Sequence, residues 1–554
     1  MTNRTALVLV LAFAAVLAPV GLAGSGLTGP PAGSGTDDAT AAEPRPDPVA
    51  SLEERLARVV AADPGPADPV DREVYVELEM RGGTTPDHPG FDLRQAYDRE
   101  GARVVGGYVP LTAVRDLSHD PRVEAVRIER SRRGSDRPTA ARPDANVAGG
   151  VSAVGADELQ LAGVTGRNVT VGVIDAGFRV SDPELAGHVG AYRSFDAEGG
   201  GWVHGTAVAS VVTDTAPDAS LHLAAVGDST TPAEYRDAVA WLRASGADVI
   251  VDAGSYFGQP GDGGGEIAAV ATAASRDVVF VAAAGNYGRR HWRGTHDPTR
   301  EVARVRFAPG ETANYLEGGA PFGGAVSATL RWDDWNASGN RTDYDLLLLR
   351  RQPGPDPVVA SGSPVGDGPV EHLAARVPRG RYYLSIRAPE GADGTGADTL
   401  DVFASRGLTH RSRGSSLTAP GTAPGVLTVG ALSGNDTVAA FSSRGPVAGT
   451  DRLGVDLVAP DDVALPGTSP EVGSSYAAPY VAGTTALLVD AHPSLGPREI
   501  GAVLRGSATD VGPPGPDPAS GHGRLDAPAA AELAVEYERY AGINRSATRH
   551  GTAG

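Results

Sequence analysis

The chain has 554 residues, a length that exceeds one hydrophobic core and indicates about three or four domains. Its 48 basic and 68 acidic residues give a formal net charge of −20, which disfavours nucleic acid and anionic membranes as partners. It contains no cysteine, which excludes disulfides, cysteine nucleophiles and thiolate metal sites.

Arginine supplies every basic side chain other than histidine, because the chain contains no lysine. An acidic, lysine-free composition rich in Gly, Ala and Val indicates a salt-loving prokaryote, in particular a halophilic archaeon. A GC-rich genome, which also favours arginine over lysine, is the alternative explanation.

The N-terminus is predicted to carry a targeting signal. Arg4 precedes an apolar run from Ala6 to Gly24 that ends in small residues, so residues 1–24 are predicted to be a secretory signal peptide. The alternative is an uncleaved membrane anchor, since the run approaches the roughly 17–20 residues that span a bilayer. Pro19 and Gly21 favour the signal. The predicted location is therefore secreted, or tethered by this segment.

A small α+β domain is predicted over residues 51–130, after a Gly/Pro/Asp-rich linker over 25–50. Its strands are expected at 72–80, 102–111 and 122–130, and its helical stretches at 51–60, Phe91–Gly101 and 111–120. The following residues, 131–150, are rich in Arg and Pro and are predicted to be an unstructured, cleavable linker.

Buried strands then alternate with helices. Continuous apolar runs predict strands at Val169–Ile174, Leu221–Val226, Ala247–Val251, Asp277–Ala283 and Val426–Ala431. Helical stretches such as Pro232–Gly246 separate them. This pattern predicts an α/β domain with a parallel sheet and helices on both faces, formed by residues 151–300 and 406–530.

Residues 301–405 interrupt that pattern. Short alternating strands separated by Gly, Pro and Asp turns predict an inserted antiparallel β-sandwich, with the strands VARVRF, AVSATLRW, DYDLLLLR, VEHLAARV, RYYLSIR and TLDVF. The C-terminal tail, residues 531–554, is expected to be partly helical.

Three polar residues follow or begin elements of the parallel-sheet domain, where ligands of open α/β sheets bind. Asp175 follows a buried strand and could orient a histidine, or simply close the strand. His204 stands at a helix start and could accept a hydroxyl proton, or be a capped structural histidine. Asn286 ends a strand and could donate to an oxyanion, or be an ordinary turn residue.

The stretch GTSPEVGSSYAAPYVAG, residues 467–483, offers three serines. Ser469 precedes a proline in a loop. Ser474 and Ser475 begin a small-residue helix, and Pro479 places its start at about Ser475. A hydroxyl there meets the positive end of the helix dipole and free backbone N–H groups, although it could also be only an N-cap.

The order Asp175, His204, Ser475 along one parallel-sheet domain resembles the subtilisin-like serine proteases, or subtilases. The motifs VGVIDAGF, HGTAVA, AAAGN and GSSYAAPYVAG are similar to the family's Asp, His, Asn and Ser motifs. The resemblance covers about 151–300 and 405–530. It departs from the usual pattern at Ala176, where Ser or Thr is usual, and at Ser474, where Thr is usual.

The resemblance implies an endopeptidase that acts through an acyl-enzyme. Ser475 would be the nucleophile, His204 the base and then the acid, Asp175 the group that orients it, and Asn286 the oxyanion donor. The segment Ala253–Gly258 would pair with the substrate backbone. The implied substrate-binding residues are Gly254, Ser255, Tyr256 and Gly285.

The α+β domain resembles a subtilase propeptide, which implies an intramolecular chaperone and inhibitor; a permanent accessory domain is the alternative. No cofactor is expected for the chemistry. A structural calcium ion is a weaker possibility, with oxygen ligands crowded between two strands at Asp333, Asp334, Asp343 and Asp345. A solvated acidic turn is the alternative for this segment.

The expected partners are protein or peptide substrates and the chain's own propeptide, and the protein is expected to be a monomer. A catalytically silent, subtilase-like binding protein is the second hypothesis. All four motif positions hold the right residue types, which favours the enzyme. A serine esterase or lipase would require a G-x-S-x-G elbow and a histidine last in chain order, so His204 excludes it.

Overall fold

The computed structural model describes residues 73–81, 88, 91–99, 102–110, 113–129, 146–195, 201–227, 230–296, 304–335, 342–365, 368–388, 397–434, 436–463 and 471–551. The predicted signal peptide, the first linker and the helix at 51–60 lie outside the described residues. The described residues divide into two compact units, 73–129 and 146–551.

The first unit is an antiparallel sheet that buries one apolar cluster with a short helix. Its elements are β1 Glu73–Met80, β2 Asp92–Arg99, β3 Ala102–Pro110, α1 Val114–Ser118 and β4 Val123–Glu129. The strands pair in the order β2-β3-β1-β4. The predicted strands at 72–80, 102–111 and 122–130 are confirmed, and so is the short helix.

The helix predicted over Phe91–Gly101 is wrong, because most of that segment is β2. It pairs with β3 from Arg99 opposite Ala102 outwards, with an irregularity between Leu93 and Gln95. Pairing with β3 satisfies the backbone of the segment and buries Tyr97 completely. These long-range contacts outweigh a local spacing that also fits a helix.

The second unit opens with two short helices, α2 Asn146–Ala153 and α3 Ala156–Leu161. Helix α2 contradicts the unstructured linker predicted over 131–150 at its last five residues, and residues 131–145 lie outside the described ranges. A tertiary contact accounts for the difference. Gly150 is buried directly against the Tyr480 hydroxyl, so close that an added Cβ would clash.

A parallel sheet follows. Its strands are β5 Thr170–Asp175, β6 Val189–Ser194, β7 Ser220–Ala225, β8 Val249–Asp252 and β9 Val279–Ala283. The helices are α4 Trp202–Thr215, α5 Pro232–Ala244 and α6 Glu266–Ala274, with a 3-10 turn at Pro183–Leu185. The strands pair in the order β9-β8-β5-β7-β6, all parallel.

An antiparallel sheet comes next in the chain. Its strands are β10 His291–His296, β11 Asn314–Tyr315, β12 Phe322–Trp332, β13 Asp345–Arg351, β14 Val358–Ser361, β15 Ser363–Pro364, β16 Val370–Arg387 and β17 Asp398–Ala404, with a 3-10 turn at Glu317–Gly319. The order is β10-β17-β12-β16-β13-β14, while β11 and β15 also pair with β16. One apolar cluster fills its interior.

Two strand predictions differ here. VEHLAARV and RYYLSIR form one strand, β16, because its first part pairs with β12 and its last part with β13. VARVRF is not a regular strand in its described part, where Arg304 makes only an isolated bridge to Arg387. The antiparallel pairing agrees with the sequence, and the inserted sandwich domain stays a prediction.

The chain then returns to the parallel sheet. Its remaining elements are β18 Leu427–Ser433, β19 Thr437–Val438, β20 Leu457–Pro460, β21 Asp462–Val463, β22 Glu471–Val472, α7 Ser474–Ala491, α8 Pro497–Ser507 and α9 Ala527–Gly551. Strand β18 lies parallel between β9 and β20, so the two halves of the domain share one sheet. The parallel α/β prediction is confirmed. Among the described helices, none has both the length and the apolar character that a membrane crossing requires.

Candidate active site

Two neighbouring strands end in aspartate at the same edge of the parallel sheet. Asp175 is the last residue of β5 and Asp252 the last residue of β8, and both are buried. Asn286 follows β9 by three residues. Because the carboxyl ends of parallel strands meet at one edge, these side chains converge on the place where open α/β sheets bind ligands.

The histidine is oriented by the first of these carboxylates. His204 lies in the first turn of α4, and its Nδ1 is 2.8 Å from Asp175 Oδ2. The other oxygen, Oδ1, accepts the backbone N–H of Ala176 at 2.8 Å. Since a carboxylate only accepts, Nδ1 carries the proton and Nε2 is left with its lone pair.

The hydroxyl that meets this lone pair belongs to Ser475. His204 Nε2 is 2.9 Å from Ser475 Oγ, and both residues are buried. Ser475 is the second residue of α7, where the backbone N–H groups of a helix start point towards a bound anion. Of the other two serines, Ser469 lies outside the described residues and Ser474 bonds elsewhere.

Ser474 fixes the side-chain amide beside Ser475. Asn286 Oδ1 accepts the Ser474 N–H at 2.9 Å and its hydroxyl at 3.2 Å. The Asn286 Nδ2 donor therefore faces the opposite way. An ideal Cβ on Gly473 would lie 3.1 Å from Nδ2 and 3.0 Å from Ser475 Oγ, so this donor and the Ser475 hydroxyl share one small space. A tetrahedral oxyanion formed at Ser475 would fall within reach of this donor.

Gly285 connects this arrangement to β9. Its φ of 98° lies in the left-handed region, which strains any other residue, and its N–H donates to Ser474 Oγ at 2.9 Å. An added Cβ would also come within 2.9 Å of the Tyr287 ring. The structure thus brings Gly285, predicted as a substrate-binding residue, into contact with Ser474, which precedes Ser475.

The other predicted substrate-binding residues are Gly254, Ser255 and Tyr256. All three are buried, and Gly254 N–H donates to Asp252 Oδ1 at 2.8 Å. The structure places Tyr256 differently from the prediction, because its N–H donates to Ala419 O at 3.1 Å and its ring packs in the core against Tyr235. The Tyr256 side chain therefore belongs to the core of the domain.

Asp252 is a residue that the sequence analysis missed. It is fully buried and accepts the Tyr235 hydroxyl at 2.8 Å on Oδ2. Burial raises the pKa of this carboxyl to about 7, and its hydrogen bonds offset only part of that effect. The signal was present, since an aspartate ends an apolar strand here just as Asp175 does, but the strand was expected to stop at Val251.

The predicted calcium ligands are already engaged in other contacts. Asp333 Oδ1 accepts the Thr399 N–H at 2.9 Å, and Asp345 pairs with Arg387. Asp334 Oδ2 likewise accepts a backbone N–H at 2.9 Å. Within the described ranges there is no group of three or more side chains suited to a metal ion. Calcium binding at this segment stays a prediction from the sequence.

A family model described as "Subtilase family" matches residues 166–319 and 391–523, the parts of the chain that contain Asp175, His204, Asn286 and Ser475. Subtilisin DY of Bacillus licheniformis is 34% identical over 155 residues, which are 25% of this chain and 55% of that protein. Minor extracellular protease Vpr of Bacillus subtilis (strain 168) is 26% identical over 419 residues, 65% of this chain and 50% of Vpr.

Two solved structures are similar to this chain at lower sequence identity. The Clostridium perfringens CspB protease has a TM-score of 0.49 and 17% identity, covering 71% of this chain and 99% of that one. A lanthipeptide protease has a TM-score of 0.40 and 16% identity, covering 69% and 93%. The chain spans about half the length of the first curated relatives it matches.

Proposed function

The chain belongs to the subtilase family, and we propose that it is a serine endopeptidase that hydrolyses peptide bonds through an acyl-enzyme on Ser475. The observation that carries this proposal is the continuous line of hydrogen-bonding contacts from Asp175 through His204 to Ser475, at 2.8 and 2.9 Å. The contacts join three residues of types and order that suit nucleophilic catalysis.

The mechanism follows from the atoms in contact. Ser475 Oγ attacks the peptide carbonyl while His204 Nε2 takes its proton, and Asp175 holds the resulting imidazolium in place. The carbonyl oxygen becomes an oxyanion that accepts from Asn286 Nδ2 and the Ser475 N–H. His204 then gives its proton to the leaving amine. Water, activated by the same imidazole, hydrolyses the acyl-enzyme and restores the serine.

The alternative of a silent binding protein has no observation in its favour. A chain released from catalysis would not need to keep the imidazole within hydrogen-bond distance of both partners. Ser474 supports the enzyme further, because it holds the Asn286 amide in the orientation that an oxyanion donor requires. Asn286 would have no reason to present Nδ2 beside the nucleophile in a protein that only binds.

We further propose that the enzyme is made as a secreted precursor and acts as a monomer on proteins or peptides. The apolar N-terminal segment supports export, as does the name of a relative, Minor extracellular protease Vpr. The antiparallel unit of residues 73–129, which precedes the catalytic motifs, supports an inhibitory propeptide released by cleavage within 131–150. The net charge of −20 supports function in high salt, without nucleic acid as a partner.

The experiment compares the wild-type precursor with Ser475→Ala in high salt, by intact mass and by labelling with a fluorophosphonate. We expect the wild type to lose an N-terminal portion and to take the label on Ser475, and the variant to do neither. Ser494→Ala is the matched control, because this exposed hydroxyl bonds Glu538 and should leave labelling unchanged.

The peptidase hypothesis would be overturned, in favour of a binding protein, by a folded wild type that stays full-length and unlabelled. It must also remain unlabelled after trypsin has removed the N-terminal unit. If Ser475 is labelled only after trypsin treatment, the protein is still a peptidase, but it does not cleave its own precursor.

A further inference from the structure

A buried guanidinium on the antiparallel sheet bonds the backbone of the loop that follows the substrate segment. Arg331 lies on β12 with a side chain only 2% exposed, and its Nη1 donates to the backbone oxygen of Gln259 at 2.9 Å. Gln259 directly follows the segment Ala253–Gly258 that the family resemblance assigns to the substrate backbone. An added Cβ on Gly261 would lie 2.7 Å from Arg331 Nη2, so the loop turns tightly around this group.

An aromatic contact lies beside the guanidinium. Phe403 of β17 packs against Phe257 of the substrate segment at 5.2 Å and against Tyr287 at 5.4 Å between ring centroids. Tyr287 is the residue after Asn286, the proposed oxyanion donor. The Arg331 guanidinium lies 4.9 Å from the Phe403 ring centroid. Phe257 of the substrate segment and Tyr287 therefore both pack against the antiparallel sheet.

Asp401 holds the guanidinium in position. Its Oδ2 accepts from Arg331 Nε at 3.2 Å and from Arg293 Nη1 at 2.6 Å, and its Oδ1 is 2.8 Å from His291 Nε2. Burial by itself would raise the pKa of Asp401, but the three cationic or donating neighbours outweigh it and hold that pKa well below its usual range. The carboxylate stays charged and fixes Arg331 from the side opposite Gln259.

Stability alone is a poor explanation for this arrangement. Removing charges from water is costly, and well-packed apolar residues often replace a buried ion pair without loss of stability. An apolar side chain at position 331 could not hold the Gln259 oxygen, whereas Arg331 bonds that oxygen and Asp401 at once. The Nη1 donor thus holds the loop that directly follows the substrate segment.

We propose that Arg331, supported by Asp401 and Phe403, is a positioning residue that holds the substrate segment at its working distance from Ser475. This role rests on the proposed peptidase function. A peptide that adds as a strand depends on the placement of the segment along several residues, whereas a small ester uses only the nucleophile and the oxyanion donors. The antiparallel sheet is then part of the catalytic cleft.

The test compares Arg331→Met and Arg331→Lys with the matched control Arg293→Met in the full processed chain. Arg293 also binds Asp401, but the structure gives it no contact with the segment. Active sites are counted with a fluorophosphonate, and kinetics per site are measured on 4-nitrophenyl acetate and on peptide 4-nitroanilides of one to four residues.

For Arg331→Met we expect the KM of the four-residue substrate to rise about tenfold, with a smaller change for one residue and less than about twofold for the ester. The KM of Arg331→Lys for the four-residue substrate should lie between those of Arg331→Met and the wild type. Its single ammonium group keeps the charge that pairs with Asp401 but replaces the forked donor set of arginine. Arg293→Met should leave the per-site kinetics of all substrates unchanged.

Equal per-site kinetics of Arg331→Met and wild type, with only a lower melting temperature or fewer active sites, would overturn the positioning role and leave the peptidase intact. A uniform loss on ester and peptides alike would also overturn it. A wild type that neither labels nor turns over any substrate would instead overturn the proposed function itself.

Discussion

Replacing Asp252 with asparagine removes a charge from the interior while keeping its shape. The carboxyl ends β8 with no exposed surface, accepting the Gly254 N–H and the Tyr235 hydroxyl at 2.8 Å each. Burial raises its pKa to about 7. An asparagine can still accept from Gly254, and its NH₂ group can donate to the tyrosine oxygen, so Asp252→Asn alters the charge more than the hydrogen bonds.

The expected effect on stability depends on pH. The unfolded pKa of an aspartate is about 3.9, so a native value of about 7 is a difference of roughly 3 pKa units, or about 4 kcal/mol. The native state binds the proton more tightly than the unfolded state. The contribution of Asp252 is therefore fully present below about pH 4, declines as the pH rises and is lost above about pH 7. Asp252→Asn has no such decline.

The assay is urea unfolding of both proteins in a Ser475→Ala background, which prevents self-digestion. Between pH 4.5 and 8.5 the unfolding free energy of Asp252→Asn should improve by about 3 kcal/mol relative to the parent. Tyr235→Phe is the control in the opposite direction, because losing the hydroxyl raises the pKa of Asp252 further and extends the decline in stability to higher pH. If the unfolding free energies of Asp252→Asn and the parent change with pH in parallel, the raised pKa of the buried Asp252 carboxyl is refuted.

Three further predictions concern the catalytic site. Asn286→Ala should lower kcat about 10²–10³-fold with little change in KM, and an unchanged kcat would exclude Asn286 as the oxyanion donor. Ser474→Ala should lower kcat about tenfold, because it removes the hydroxyl that donates to Asn286 Oδ1 and accepts the Gly285 N–H, and leaves the amide held by the Ser474 backbone N–H. Ser474→Thr should restore kcat through its hydroxyl, and equal rates for both variants would contradict this. Gly205→Ala should lower kcat at least about 100-fold, because its methyl group would lie 2.9 Å from Asp175 Cβ and press on the Gly177 oxygen. A Gly205→Ala variant with the wild-type kcat would contradict this, because the structure would then have absorbed the added methyl group without moving Asp175.

Local patterns predicted the parallel-sheet domain well because its strands are apolar on both faces. The strand before Asp175 and the helix that begins at Pro232 could be recognised within a few residues. Thr231 and Glu234 form a capping box at that helix, a signal that needs no distant partner. These elements were predictable because the interactions that define them lie within one turn or one strand.

Predictions failed where a distant partner decided the structure. The segment from Asp92 to Arg99 is a strand because β3 pairs with it, and β16 is continuous because β12 and β13 meet it in succession. Asp252 was missed because the strand was expected to stop at Val251, and its contact with Tyr235, on another element, could not be read from the strand itself. None of these contacts has a local sequence signature.

The sequence by itself determined the chemistry, because Asp175, His204, Asn286 and Ser475 are recognisable from their types, order and strand-end positions. Tertiary structure alone decided the distances between these side chains, the contact of Ser474 with Gly285, and the link from the antiparallel sheet to Gln259. His204 and Ser475 are 271 residues apart in the chain. Their contact depends on the order of strands in a sheet assembled from both halves of the domain, and no local stretch of sequence encodes that order.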